Sequence, residues 1–230
     1  MRNFFTIWRR ELAACFLSPI AYLVMVAFLS ISGWMFLRLA ESFEGTNEPL
    51  SGLLFRVILF VWMPILVAVI TMRLFADEKR SGTIETLMTA PVTDTEVVLG
   101  KYAGALSFYF IVTIPSAAYI VLLKILSPNV SWPDIGAIAG GTIIFILLSA
   151  FCVSIGLLIS LISKNQIIAA IFCFGALWLL LFAGDVLSFL PRESVNLVAY
   201  ISSGSHILDF ARGSIETRPP VLYLSGIFFI

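Results

Sequence analysis

Apolar runs broken by short polar stretches repeat along the chain. A bilayer span needs about 20 predominantly apolar residues, and residues 20–37, 53–74, 97–125, 135–162 and 167–186 match or approach that length. A sixth run, 221–230, is too short to span, which predicts that the chain ends within its last helix. Pro64 and Pro115 lie inside the second and third runs and predict kinks there. The pattern differs before the first run. Phe4, Phe5, Trp8, Leu12, Cys15 and Phe16 share an arc of about 120° on a helix, with Ile7 outside it. Residues 1–18 therefore read as an amphipathic helix lying along the membrane surface, ended by Pro19. Glu11, directly after Arg9 and Arg10 and ahead of a full-length span, argues against a signal peptide.

Composition agrees with this pattern. Charged residues make up 12% of the chain and hydrophobic residues 60%, against about 25% charged in a soluble domain. The natural solvent is a bilayer, and the expected fold is an all-α membrane protein with one interfacial helix and six transmembrane helices. The whole chain reads as one transmembrane domain. Net charge is zero and offers no footprint for nucleic acid. The three cysteines, Cys15, Cys152 and Cys173, lack metal or redox spacing and read as small packing residues.

Basic residues give the orientation. Arg2, Arg9, Arg10, Arg73, Lys79, Arg80, Lys101 and Lys164 fall on one side of the expected topology, and Arg38, Arg56, Lys124, Arg192, Arg212 and Arg218 on the other. The first span carries three positives before it and one after. The N-terminus and residues 75–96 are thus expected in the cytoplasm of a multi-pass protein of the plasma (bacterial inner) membrane, with 187–220 on the far side.

Several chemistries are disfavoured. The spans have no ionisable group at their centres, which weakens an ion-coupled secondary transporter or channel. Ser205, His206 and Asp209 lie close in sequence, but neighbours on a helix point about 100° apart and do not form a hydrolase constellation. There is neither a zinc motif nor a phosphate-binding loop, so no catalytic, cofactor or metal site is expected and the chain is not itself a nucleotide hydrolase. Gly100 and Gly104, then Gly136 and Gly140, recur four apart near helix starts, a spacing that permits close helix contact.

The charged connection carries the most information. "DEKRSG" reads as a solvated exit from the second span, with Gly82 able to take a conformation that other residues avoid. "TIETLMTA" places Ile84, Leu87 and Met88 at i, i+3 and i+4, a short helix with an apolar face, stopped by Pro91. Thr93 and Glu96 form a capping box that opens the third span. An apolar face turned to the cytoplasm calls for a partner; a helix simply resting on lipid is the alternative.

"FADEKRSGTIETLMTAPVTDTEVVLGKYAGAL" resembles the cytoplasmic signature of ABC-2-type transporter permeases, and is most similar to the gliding-motility-type branch. "WRRELAACFLSPIAYL", "SLISKNQIIAAI" and "SHILDFARGSIETRPPVLYLS" extend the resemblance over nearly the whole chain. The resemblance implies a six-helix permease subunit of an ATP-driven exporter. By the same resemblance it would work as a homo- or heterodimer, with ATP and Mg held by separate cytoplasmic ATP-binding subunits. The short helix would be the docking element: Glu78, Gly82, Thr83, Glu85 and Leu87 match the family pattern, Ile84 and Met88 are the apolar neighbours, and Pro91, Gly100 and Lys101 match its end. A non-transporting membrane scaffold is the remaining alternative.

Overall fold

The computed structural model describes residues 2–42, 55, 57–58, 62–82, 92–126, 135–187, 206, 209–210 and 216–230. These residues are helical apart from short turns. Helix α1, Arg2–Leu17, stops at Ser18, where Pro19 starts α2, Pro19–Ser42. Proline has no N–H to lose in a first turn and cannot continue the helix before it.

Of the second apolar run, residues 55, 57–58 and 62 are described as helical or π-helical, followed by α3, Met63–Thr71, a turn over 72–75 and a short helix α4, Ala76–Ser81. Pro64 sits in the first turn of α3, and Trp62 before it is in a π-helical turn. The wider π turn fits a proline that cannot donate to the preceding turn.

The third run is α5, Asp94–Thr113, then a 3₁₀ turn, Ile114–Ala117, then α6, Ala118–Leu126. Pro115 lies in the 3₁₀ turn, so the expected kink takes that form. At the other end Thr93 Oγ1 accepts from Glu96 N at 3.3 Å, and Glu96 Oε2 accepts from Thr93 N at 3.4 Å. This is the reciprocal capping box. The fourth and fifth runs are α7, Ile135–Ile162, and α8, Gln166–Leu187. Between them Asn165 Oδ1 accepts from Ile167 N at 3.0 Å and caps α8. The last described helix is α9, Arg218–Phe229.

Among the described residues, three helical stretches are long and apolar enough to cross a membrane: Pro19–Arg38, Asp94–Ala117 and Ile135–Ile162. Gln166–Phe182 is apolar over a shorter length. Met63, Leu66 and Val67 of α3 are fully buried, as are Ile144, Leu148 and Cys152 of α7 and Leu177 of α8. Thr71 fits the gap left by Gly156, where an added Cβ would lie 2.5 Å from its hydroxyl oxygen. The outside is apolar as well: Leu23, Val26 and Trp34 on α2 and Ile171, Phe172 and Leu179 on α8 are exposed. Helices greasy on every face suit lipid rather than water.

Helix α1 packs differently from its expected apolar arc. Ile7, which the arc left out, is buried, whereas Phe5 is exposed. Gly100 and Gly104 of α5 create the docking groove: an added Cβ would lie 2.8 Å from Ile7 Cγ2 and 2.8 Å from Glu11 Cβ respectively. Trp8 Nε1 donates to Ser107 Oγ at 3.0 Å, and Phe16 meets Phe108 edge-on. The arc maximised hydrophobicity, but the contact is set by where α5 offers no side chain. Gly140 of α7 faces the Phe210 carbonyl oxygen, which would lie 3.1 Å from an added Cβ, while Gly136 is exposed one turn earlier.

Gly104→Val is expected to push α1 off α5, because the new branched side chain would overlap Glu11 and the Trp8 carbonyl. Overpacking of this kind costs about 1–3 kcal/mol. Alkylation of a cysteine placed at Ile7 should rise markedly over the same cysteine in an otherwise native background.

Candidate coupling site

The charged connection enters the structure at α4. This helix is short because its apolar content is confined to Ala76 and the preceding Leu74 and Phe75, all buried. Its end is set by Gly82, at φ 72°, whose N–H bonds to the Lys79 carbonyl. An added Cβ there would meet nothing within 4 Å, so backbone conformation, not crowding, favours glycine.

The segment "DEKRSG" is largely solvated, with Asp77, Arg80, Ser81 and Gly82 exposed, and the start of α4 is also tied to its neighbours. The N–H groups of Phe75 and Ala76 donate to the buried Ser160 hydroxyl at 3.2 and 3.3 Å. Lys79 Nζ donates to the Leu161 carbonyl, and Gln166 Nε2 donates to Asp77 Oδ1. Orphan donors at the start of α4 are thus satisfied by α7, and its charged side chains grip the α7–α8 turn. Just before α4, Arg73 Nη1 donates to Ser18 Oγ at 2.8 Å, tying this region to the break between α1 and α2.

Lys101 closes the arrangement from the opposite side. Its side chain is 1% exposed, and Nζ donates to Glu78 Oε1 at 2.8 Å, Glu11 Oε1 at 3.1 Å and the Leu74 carbonyl at 2.7 Å. All three ammonium donors are used. Nζ also lies 5.1 Å from the centre of the Phe75 ring. Arg10 Nη2 reaches Glu11 Oε1 at 3.0 Å and Glu78 Oε1 at 3.4 Å from the solvent side. Two cations and two carboxylates therefore join α1, α4 and α5 in a locally neutral cluster. Burial of a charge is tolerable only with such pairing.

The predicted docking residues divide into two groups. Glu78 and Gly82 lie in this cluster and at its edge. Thr83, Ile84, Glu85, Leu87, Met88 and Pro91 lie outside the described residues, and the chain resumes at Val92. The sequence reading counted Lys101 as a flanking positive charge and as part of the motif's end but missed it as a buried partner, and missed Glu11 and Ser160. A lysine two turns inside an apolar helix, with a lone glutamate in each of two neighbouring segments, was the available signal.

Of Ser205, His206 and Asp209, Ser205 lies outside the described residues. His206 Nδ1 is 3.1 Å from the Tyr223 hydroxyl of α9. Burial holds the imidazole below its ordinary pKa, opposed by Asp209 and Glu216, and its contact is structural. Among the described residues, no group of three His, Cys, Asp or Glu side chains could hold a metal ion. The cysteines are free, with Cys152 and Cys173 buried.

Comparison with individually curated proteins gives no match. The sequence profile described as ABC-2 family transporter protein matches residues 9–210, most of the chain and the whole of the α4–α5 cluster. The chain belongs to the ABC-2 family transporter proteins: it is a multi-pass membrane permease, the non-catalytic membrane component of an ABC transporter.

Proposed function

We propose that this permease is half of an ATP-driven exporter, paired with a second permease subunit and served by two cytoplasmic ATP-binding subunits docked on residues 83–90. Its N-terminus lies in the cytoplasm, residues 187–220 on the far side, and α1 at the membrane surface. Six helices cross the membrane. Export, pairing and the kinship with the gliding-motility-type branch rest on the resemblance of the loop and its flanks.

The observation that carries this reading is the anchoring of α4. The helix leading into residues 83–90 is bonded to α7 and α8 through Ser160, Leu161 and Gln166, and to α1 and α5 through Lys101. A force reaching α4 would pass through these bonds to four other helices. Closure of the ATP-binding subunits would then tilt the helices together. Such a mechanism needs no titrating group in the membrane. Among the described residues Lys101 is the fully buried charged side chain, and it is already neutralised by Glu11 and Glu78. That disfavours a proton- or ion-coupled carrier.

The purified chain is expected to hydrolyse no ATP alone and to support hydrolysis only when its ATP-binding subunit is added. Cysteines introduced at Gly82 and Asn47 test the orientation in intact cells. Asn47 should label from outside and Gly82 should not; external labelling at Gly82 would contradict both orientation and docking.

A further inference from the structure

We propose that the outward face of α1 holds the headgroup of an anionic phospholipid. The inward face of α1 is occupied by α5 through Ile7, Trp8 and Glu11. On the opposite face Phe5, Thr6, Arg9, Arg10 and Ala13 span about 140° of the helix. They line an open cleft of about 520 Å³. Two of these five residues are arginines and none is acidic.

Arg9 is exposed and makes no hydrogen bond or ion pair with the described residues. The Arg10 side chain is 56% exposed, and only its Nη2 is used by Glu11 and Glu78. Two guanidinium groups with spare donors on one face suit a phosphate diester, which accepts paired N–H donors.

Position distinguishes a lipid from a soluble anion. Arg10 of the cleft lies 3.4 Å from Glu78, so the cleft adjoins the charged cluster around Lys101. Directly beyond it Leu17 is 83% exposed, and Ile20, Tyr22 and Leu23 continue an exposed apolar surface along α2. Phe5, 59% exposed, supplies an apolar wall beside the arginines. A molecule with an anionic phosphate and attached acyl chains meets both surfaces at once. This inference does not depend on docking at residues 83–90.

The test is lipid retention by the purified full chain, read by native mass spectrometry after exposure to equal phosphatidylglycerol and phosphatidylcholine. A basic residue near an anionic lipid surface is worth roughly fivefold in association. The wild-type chain should keep phosphatidylglycerol in preference by at least that factor, and Arg9→Gln should lower the preference roughly fivefold. Arg80→Gln, which alters an exposed arginine of α4 that does not line the cleft, should leave it unchanged. Equal retention of the two lipids, an unaltered preference in Arg9→Gln, or an equal loss in Arg80→Gln would overturn the proposal. So would displacement of the retained lipid by millimolar inorganic phosphate, which would make the site one for free anions. Loss of ATP-binding-subunit capture in Arg9→Gln with lipid retention intact would assign the face to a protein instead.

Discussion

Lys101→Met is expected to destabilise the permease by about 3 kcal/mol or more. The substitution keeps a long side chain but removes the ammonium group that neutralises Glu11 and Glu78 and satisfies the Leu74 carbonyl. Both carboxylates are largely buried, at 14% and 18% side-chain exposure, so water replaces the lost partner poorly. Arg10, at 3.0 and 3.4 Å, offsets part of the loss from the exposed side. For a chain of this size the loss corresponds to a fall in Tm on the order of 6–12 °C. Thermal unfolding in detergent measures it. Adding Glu11→Gln and Glu78→Gln to Lys101→Met should recover much of the loss, because it removes the cluster's buried charges and leaves only the exposed Arg10. A single Lys101→Met variant that melts at the wild-type temperature would show that the cluster does not hold α1, α4 and α5 together.

The sequence revealed helices better than the contacts between them. The run 135–162 coincides with α7 and 167–186 with α8 to within a residue at each end, because apolar length and the Ser163–Asn165 turn mark both boundaries. The Thr93–Glu96 capping box and the break at Pro115 were legible for the same reason: each is a local rule that neighbours in the chain enforce. At Pro64 the expected kink falls next to a π-helical turn at Trp62, with residues 59–61 outside the described ones. The packed face of α1 was misjudged at Ile7 for a different reason. Lipid tails are as apolar as a protein neighbour, so periodicity cannot say which apolar face meets which. Only the groove at Gly100 and Gly104 decides it, and those residues lie about a hundred positions away. Lys101 is the clearest such case: its carboxylate partners come from 90 and 23 residues earlier in the chain. Charge counting registers it as a flank, and only the assembled fold makes it a buried junction.

The central claim is that residues 83–90 dock an ATP-binding subunit and that α4 carries the resulting movement inward. Leu87→Asp bears on it most directly. On the proposed helix Leu87 shares an apolar face with Ile84 and Met88, so docking would place it in a desolvated groove of the partner. A carboxylate there, without a paired cation, costs several kcal/mol. A loss of about 4 kcal/mol lowers affinity roughly a thousandfold, enough to abolish capture at ordinary concentrations. Glu85→Ala should act in the same direction and more weakly if the carboxylate lies at the groove's rim, where charges contribute less. A helix lying free on the lipid surface would tolerate Leu87→Asp with the partner still bound. The measurement is affinity capture of the ATP-binding subunit by membrane-inserted permease, with wild-type and Leu87→Asp chains compared at equal expression. The account predicts normal insertion and no captured subunit for Leu87→Asp; wild-type capture by that variant would contradict it.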